Sequence, residues 1–149
     1  MCEQEHLSLN TPIIVLGGKG FIGRRVIRML NGRQVISIDI VDGLGVADWP
    51  AHLFGERVIV VNITVKSELD KYLGVMWPGT IVLNETYPEP SAATLNRLTQ
   101  EGCVCYHVVG VRAHALPPFP EAYRGAIPCC AAWPSEDMDV IVRKLNCYR

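Results

Sequence analysis

Four short, mainly apolar runs limit the folds that this chain can adopt. They span residues 12–17, 57–61, 80–83 and 103–109. Each is apolar nearly throughout instead of alternating apolar with polar residues, which is typical of strands buried on both faces. Such strands form parallel sheets that helices cover on both sides. The runs therefore predict an α/β fold, more specifically one doubly wound domain around a mostly parallel, six-stranded sheet.

The remaining elements fit between and after these runs. Apolar residues at helical spacing predict helices over residues 20–30, 66–73, 91–100 and 135–146. Two further strands are expected at residues 34–40 and 126–132, and a proline-rich loop at residues 111–125. We expect residues 1–10 to be a flexible leader and residues 11–149 to form the domain. A chain of 149 residues is long enough for one sizeable core.

The first strand ends in a glycine-rich turn that opens the first helix. Gly18, Gly20 and Gly23 fit the pattern G-x-G-x-x-G. Gly18 would allow the tight turn, Gly20 would let the backbone approach a pyrophosphate, and Gly23 would let the helix pack closely. The free N–H groups at the start of the helix favour anions. We therefore expect a dinucleotide to bind along this turn, whose residues are Gly17, Gly18, Lys19, Gly20, Phe21, Ile22 and Gly23.

Asp39 ends the second strand about 20 residues after the turn, where a carboxylate binds the ribose hydroxyls of NAD. The next residue is Ile40 and not an arginine, so no obvious cation follows to hold a 2′-phosphate. We therefore expect NAD as the cofactor. Arg33 lies nearby in the sequence and keeps NADP open. The alternative is a glycine-rich turn beside a surface aspartate, with no cofactor.

The stretch IIVLGGKGFIGRRV resembles the first βα turn of NAD(P)-binding Rossmann-fold proteins. Within it, GGKGFIG is similar to the glycine motif of extended short-chain dehydrogenases. That family uses a Tyr-x-x-x-Lys pair for proton transfer. No tyrosine of this chain is followed by a lysine four residues later. The resemblance therefore implies the fold and the cofactor but not that family's catalytic residues.

Residues 12–110 also resemble the cofactor domains of 2-hydroxyacid, shikimate and methylene-tetrahydrofolate type dehydrogenases. In those domains the end of the third strand contacts the adenosine side, and a strand that starts with Pro-Gly ends beside the nicotinamide. The resemblance implies cofactor contacts for Asn62, Thr64 and Asn84. A second domain supplies the substrate site in those enzymes, and this chain has no room for one.

Candidate catalytic groups follow the fourth and fifth strands. Ligands of open α/β sheets bind beyond the carboxyl ends of the strands. Glu85 follows the fourth strand, and Arg112 and His114 follow the fifth. A cation and a proton donor could serve hydride transfer to a carbonyl or imine. The alternatives are a polar loop around Glu85 and a surface histidine at His114.

The cysteines suggest burial more than chemistry. Cys103, Cys105 and His107 project to one face of the fifth strand, which raises a zinc hypothesis. Alternate residues of a strand stand about 7 Å apart, too far for three ligands to share one ion comfortably. We therefore expect no metal site and interpret the two cysteines as small buried hydrophobes. We expect the vicinal pair Cys129 and Cys130 to be structural.

Charge and composition limit the partners. The net charge is −1 and hydrophobic residues make up 49%, so we expect neither nucleic-acid nor membrane binding. Without a signal-peptide or membrane-spanning pattern, the expected location is the cytoplasm. A single small domain rarely encloses a substrate, so we expect a homodimer or a partner subunit. The loop 116–120 would be a flap, a subunit contact or a rigid connection.

Three functions are compatible with these features. The favoured one is a small NAD-dependent oxidoreductase that acts on a polar metabolite in a cleft closed by dimerisation. The second is a non-catalytic NAD or nucleotide sensor, or the cofactor-binding subunit of a larger enzyme. The third is a degenerate fold that binds no dinucleotide.

Overall fold

A computed structural model describes residues 5–65, 67–114, 126–127 and 138–146 of the chain. Within these residues the fold is α/β, with a six-stranded, mostly parallel sheet and three α-helices. The strands are β1 (Ile13–Leu16), β2 (Val35–Ile38), β3 (Val58–Asn62), β4 (Thr80–Asn84), β5 (Val104–Arg112) and β6 (Asp139–Lys144). The helices are α1 (Phe21–Met29), α2 (Glu68–Tyr72) and α3 (Ala92–Gln100).

The order of the strands across the sheet is β2-β1-β3-β4-β5-β6. The first five are parallel to one another, and β6 runs antiparallel to β5. Because β2 and β3 lie on opposite sides of β1, the chain must cross β1 between them. It does so through 3₁₀ turns at Ile40–Asp42, Val46–Asp48 and Ala51–Leu53.

The apolar strands are buried as predicted, and alternate residues pack into different layers. One layer combines Ile14, Leu16 and Val60 with Leu69 of α2 and Leu98 of α3. The opposite layer combines strand residues with α1, namely Ile13, Val15, Ile59 and Val61 with Ile27 and Leu30. Elements other than strands thus cover both faces of the sheet, which explains why these strands carry apolar residues on both sides.

A side chain caps the start of α3. The Ser91 hydroxyl accepts a hydrogen bond from the backbone N–H of Thr94 at 3.1 Å. α2 is shorter than expected because residues 73–75 form a 3₁₀ turn. None of the described helices is long and apolar enough to cross a bilayer.

The N-terminal segment is anchored over the end of the sheet away from the glycine turn. The Glu5 carboxylate accepts hydrogen bonds from the Tyr106 hydroxyl, at 2.5 Å, and from the Lys144 ammonium, at 2.9 Å. Leu7 packs against the apolar cluster of Ile81, Val104 and Tyr106. Residues 5–10, expected as a flexible leader, therefore contact the sheet in this structure.

The C-terminal part departs from the sequence prediction. A helix was expected over residues 135–146, but residues 139–144 form β6, and β5 continues through Val111 and Arg112, which were assigned to a loop. Tertiary pairing explains the difference, because β5 offers an edge and β-branched residues favour a strand on it. Of the predicted strand 126–132, Ile127 pairs with Val111. Residues 128–132 of that strand, which include Cys129 and Cys130, the loop 116–120 and residues 135–137 lie outside the described residues.

Candidate functional site

The glycine turn is packed tightly against its neighbours at three of its four glycines. Gly17 has a φ of +86°, and a Cβ there would lie 2.8 Å from the Ile63 carbonyl oxygen. A Cβ on Gly23 would lie 2.1 Å from the Gly17 carbonyl oxygen, so the first turn of α1 needs glycine to approach the loop. A Cβ on Gly18 would lie 2.1 Å from the Ser37 hydroxyl. Packing within the protein therefore explains these three glycines.

Gly20 differs from the other three. Its φ is −61°, which any residue adopts, and a Cβ there would approach only the Gly17 carbonyl oxygen, at 3.4 Å. No side chain caps the helix at this position, which is the N-cap of α1. The fold itself therefore does not require glycine here. A glycine at this place keeps the backbone N–H groups of α1 open to whatever approaches the helix.

Asp39 is buried, and its carboxylate holds the glycine turn. One oxygen accepts a hydrogen bond from the backbone N–H of Lys19 at 2.8 Å, and the other accepts one from Val41 at 2.9 Å. Asp39, which the sequence predicted to bind the ribose, thus also has a structural role that the sequence did not reveal. Each carboxylate oxygen can accept a second hydrogen bond, so the group keeps acceptor capacity toward the adjoining pocket.

A pocket of about 330 Å³ opens beside the turn, where β1 and β3 end. This size lies within the usual range for small-molecule sites. Its walls come from the glycine turn, the end of β2, the loop after β3 and α2, with Gly17, Lys19, Gly20, Ile38, Asp39, Ile40, Val41, Ile63, Thr64, Val65, Glu68 and Tyr72 as lining residues. We call this pocket the crevice. Of the residues that the sequence singled out here, Gly17, Lys19 and Gly20 of the turn and Asp39 line the crevice.

The rim of the crevice is apolar and exposed. Ile40 and Val41 are 77% and 78% exposed, and Val65, across the opening, is 72% exposed. Phe21, at the start of α1, is 82% exposed but does not line the crevice. Apolar side chains held open to solvent around one pocket favour a ligand with a flat or apolar part.

A row of polar side chains crosses the carboxyl ends of β3, β4 and β5. The Asn62 amide donates to the Asn84 side-chain oxygen at 2.7 Å, and the Asn84 side-chain nitrogen lies 3.0 Å from His107 Nδ1. All three residues are buried. The Thr64 hydroxyl donates to the Asn62 side-chain oxygen at 2.6 Å, which connects the row to the crevice. We call Asn62, Asn84 and His107 the polar row.

The structure does not bring the three candidate catalytic residues together. Glu85 follows β4 directly and is half-buried, and its desolvation raises the pKa of its carboxyl. Arg112 lies five residues beyond His107, which pairs with Asn84, so roughly 17 Å of strand separates it from the end of β4. Arg112 forms an exposed ion pair with Asp139 at 3.5 Å. His114 is exposed beyond the end of β5.

Lys19 and Arg33, the two cations considered for a 2′-phosphate, each have a partner within the protein. Lys19 forms an ion pair with Asp42 at 3.1 Å. Arg33 precedes β2, so roughly 20 Å of chain separates it from Asp39. Its guanidinium reaches the Ser8 carbonyl oxygen of the N-terminal segment at 3.5 Å. Arg33 thus lies at the amino end of the sheet, away from the crevice.

A second pocket, of about 230 Å³, lies between the polar row and the start of α3. Asp70, Thr94 and Glu89 are among its lining residues, and the Thr94 hydroxyl donates to Asp70 at 2.7 Å. Sequence reasoning did not select Asp70 or the polar row as a unit. The only signal was a polar residue at the end of each of two buried strands.

Cys103 and Cys105 are buried as small hydrophobes, as interpreted from the sequence. Burial raises the pKa of the Cys103 thiol to about 11 and that of Cys105 to about 12, so both stay protonated at neutral pH. They pack in the layer with α2 and α3. Among the described residues, no group of three or more histidine, cysteine, aspartate or glutamate side chains could hold a metal ion.

The crevice and the polar row therefore form one continuous edge of the sheet with free backbone donors, a buried carboxylate and an apolar rim. Searches of protein-family models, of curated proteins and of solved structures gave no match to this chain.

Proposed function

We propose that the protein binds NAD in the crevice, as the cofactor-holding part of an oxidoreductase. The observation that carries this proposal is Gly20. It is the one glycine of the turn that internal packing does not require, and it lies at the uncapped start of α1, on the wall of the crevice. A pyrophosphate that approaches the free N–H groups of a helix needs such a position without a side chain.

The surroundings of Gly20 support the same ligand. The carboxylate of Asp39 would accept from the ribose hydroxyls, and the apolar rim of Ile40, Val41 and Val65 suits an adenine ring. The nicotinamide half would then extend toward the polar row. The strand order supports a doubly wound, Rossmann-like fold. Ligands of such sheets bind where the connections from two neighbouring strands leave in opposite directions. Here that point lies between β1 and β3.

The charges favour NAD over NADP. A 2′-phosphate would approach the buried Asp39 carboxylate and be repelled by it. Arg33, which kept NADP open in the sequence, lies at the other end of β2, and Lys19 is paired with Asp42. No further cation lines the crevice among the described residues.

Glu85 favours the catalytic form of the proposal over a simple sensor. It is the one candidate acid at the end of β4, and desolvation raises the pKa of its carboxyl, which suits a proton donor. Arg112 and His114 lie farther along β5, so a second chain would have to complete the site. We keep the cytoplasm as the proposed location, where the buried thiols of Cys103 and Cys105 would stay reduced.

Calorimetry on the purified protein tests the binding step. We expect saturable binding of NAD⁺ and NADH, and binding of NADP⁺ at least tenfold weaker. Gly20→Ala should weaken NAD binding more than tenfold, because the methyl group occupies the approach to α1. Gly45→Ala is the matched control, since a Cβ there meets no atom within 4 Å and Gly45 lies outside the crevice. Absence of binding to NAD(H) and to NADP(H) alike would refute the proposal and favour a fold that holds no dinucleotide.

A screen of polar carbonyl and imine compounds for NADH oxidation tests the catalytic step. Glu85→Gln should abolish turnover and leave the affinity for NADH within about twofold, because the carboxyl donates a proton and does not hold the cofactor. If NADH binds but no compound is reduced, the protein is a sensor or a cofactor-binding subunit.

A further inference from the structure

The last strand of the sheet exposes an apolar edge. β6 is the terminal strand, and no strand pairs with its outer edge in the part of the chain that the structure describes. Val140 and Val142 project to the same face and are 52% and 37% exposed. An edge strand with exposed β-branched residues is a ready template for pairing with another chain.

The sequence of β6 is complementary to itself in one register. A two-fold axis perpendicular to the sheet keeps each face of the sheet on the same side, so residues of equal parity must stand opposite each other. If the axis passes through Ile141, Asp139 of one copy faces Arg143 of the other, and Val140 faces Val142. Opposite charges and β-branched pairs directly across strands are both stabilising.

Neighbouring registers lose this complementarity. A shift of the axis by one residue toward Val142 places Val140 opposite Lys144 and Ile141 opposite Arg143. A shift the other way places Asp139 opposite Ile141. Only the register centred on Ile141 pairs the two charges and the two valines at once, so it is the one that the side chains specify.

Each of the two charged residues already has a partner within the chain. Asp139 is paired with Arg112 at 3.5 Å and Arg143 with Glu89 at 3.4 Å. The pair of Asp139 and Arg112 is exposed on both sides, where such contacts contribute little. Asp139 can therefore join a contact between chains at small cost, whereas Arg143 would exchange the partly buried Glu89 for Asp139 of the second copy.

We propose that two copies of this chain associate through β6, antiparallel about Ile141, so that two sheets become one. This interface is independent of the crevice. β6 lies three strands from β3, or roughly 15 Å, so the second copy would not cover the crevice. This dimer therefore differs from the homodimer expected from the sequence, which would close the cofactor cleft.

Sedimentation of the full chain, with exchanged charges, tests this interface. We expect a dimer for the native protein at micromolar concentrations. Asp139→Arg and Arg143→Asp should each weaken dimerisation about tenfold or more, because each places like charges opposite each other twice. Arg25→Asp is the control, because it changes the net charge as Arg143→Asp does but at an exposed position on α1. It should leave the dimer intact.

The double variant distinguishes contacts between chains from contacts within one. Asp139→Arg combined with Arg143→Asp restores opposite charges across the two-fold axis, although both ion pairs within the chain remain lost. It should therefore restore the dimer. An equimolar mixture of the two single variants should also form mixed dimers, because each of their cross-chain pairs is then opposite in charge.

Several outcomes would overturn the proposal. They are a native protein that stays monomeric at about 200 μM, a dimer that neither single variant weakens, or a double variant weaker than both single ones. Open-ended assembly of the native protein would also contradict it, since this interface closes on itself. Far-UV circular dichroism of each variant checks that the monomer is folded, and the mixture of single variants keeps the test valid if the double variant unfolds.

Discussion

At the scale of single residues, the glycines of the turn differ in whether internal packing requires them. Gly23 and Gly20 belong to the same motif, yet only Gly23 has a backbone carbonyl where its Cβ would be. The motif alone does not distinguish the two, because both are simply glycines in a known pattern. Their surroundings assign Gly23 to the fold and give Gly20 no packing role, which is what the proposed binding of a pyrophosphate would use.

Gly23→Ala should lower the free energy of unfolding by about 2–4 kcal/mol, because its Cβ would lie 2.1 Å from the Gly17 carbonyl oxygen and force the turn away from α1. Gly45→Ala, which meets open space, should change the same quantity by less than about 0.5 kcal/mol. Urea denaturation of both variants measures this. Equal effects would show that the close approach at Gly23 is unimportant to the fold.

Asp39 illustrates what the sequence revealed about a residue and what it missed. Its position after the second strand predicted a role beside the turn. Its two hydrogen bonds to Lys19 and Val41 depend on how the turn folds over the end of β2, which no spacing reveals. Replacing Asp39 would therefore disturb the turn itself, and weaker NAD binding in such a variant would not identify a ribose contact.

At the scale of elements, the polar row connects three strands at the edge where a ligand would bind. Asn84 stands between Asn62 and His107 and also donates to the Thr86 carbonyl oxygen at 2.6 Å. A buried amide with all of these partners fixes how the ends of β3 and β5 stand relative to β4.

Asn84→Ala should lower the free energy of unfolding by about 2–3 kcal/mol, because it leaves the buried amide of Asn62 without its acceptor. Asn96→Ala, an exposed change on α3, is the matched control and should have an effect below about 0.5 kcal/mol. Thermal and chemical denaturation compare the two. A loss for Asn84→Ala no greater than the control would contradict a structural role for the row.

The elements that sequence analysis placed well are those whose local pattern allows one reading. The buried runs that became β1, β3 and β4 are short, apolar and bounded by turns, so only strands fit them. β6 was predicted as a helix because Met138, Ile141, Val142 and Leu145 fall at helical spacing. The strand depends on pairing with β5, about 30 residues earlier in the chain. The spacing of apolar residues within a segment does not predict such a distant pairing.

At the scale of the whole molecule, two partly buried carboxyls respond to pH in opposite directions. Burial alone would raise the pKa of Glu5, but hydrogen bonds from Tyr106 and Lys144, with the nearby charges of Lys144 and Arg57, outweigh it and lower the pKa. Desolvation raises the pKa of Glu85. Ionised Glu5 therefore stabilises the fold above its ordinary pKa of 4.5, and ionised Glu85 destabilises it as pH rises through the raised pKa.

Glu5→Gln should lower the free energy of unfolding at pH 7 by about 1 kcal/mol, because it removes the charged acceptor of Tyr106 and Lys144. Glu85→Gln should raise it by about 0.5 kcal/mol or less, because the amide carries no charge to desolvate. The Glu85 difference should fade as pH falls through the raised pKa of Glu85 toward 4.5, whereas the Glu5 difference should fade below pH 4.5, as pH falls toward the lowered pKa of Glu5. Denaturation curves at pH 7 and pH 3.5 measure this, and effects of the same sign at pH 7 would contradict the two assignments.

The hydrogen bond from Lys19 to Asp39 has a consequence for the thermodynamics of binding. Together with the close contact of Gly23, it holds the turn in one shape before any ligand arrives. A loop that is already ordered loses little conformational entropy when it closes on an anion. Association with a pyrophosphate should then be fast and need no rearrangement of the backbone, and the free and occupied turns should superpose within about 1 Å.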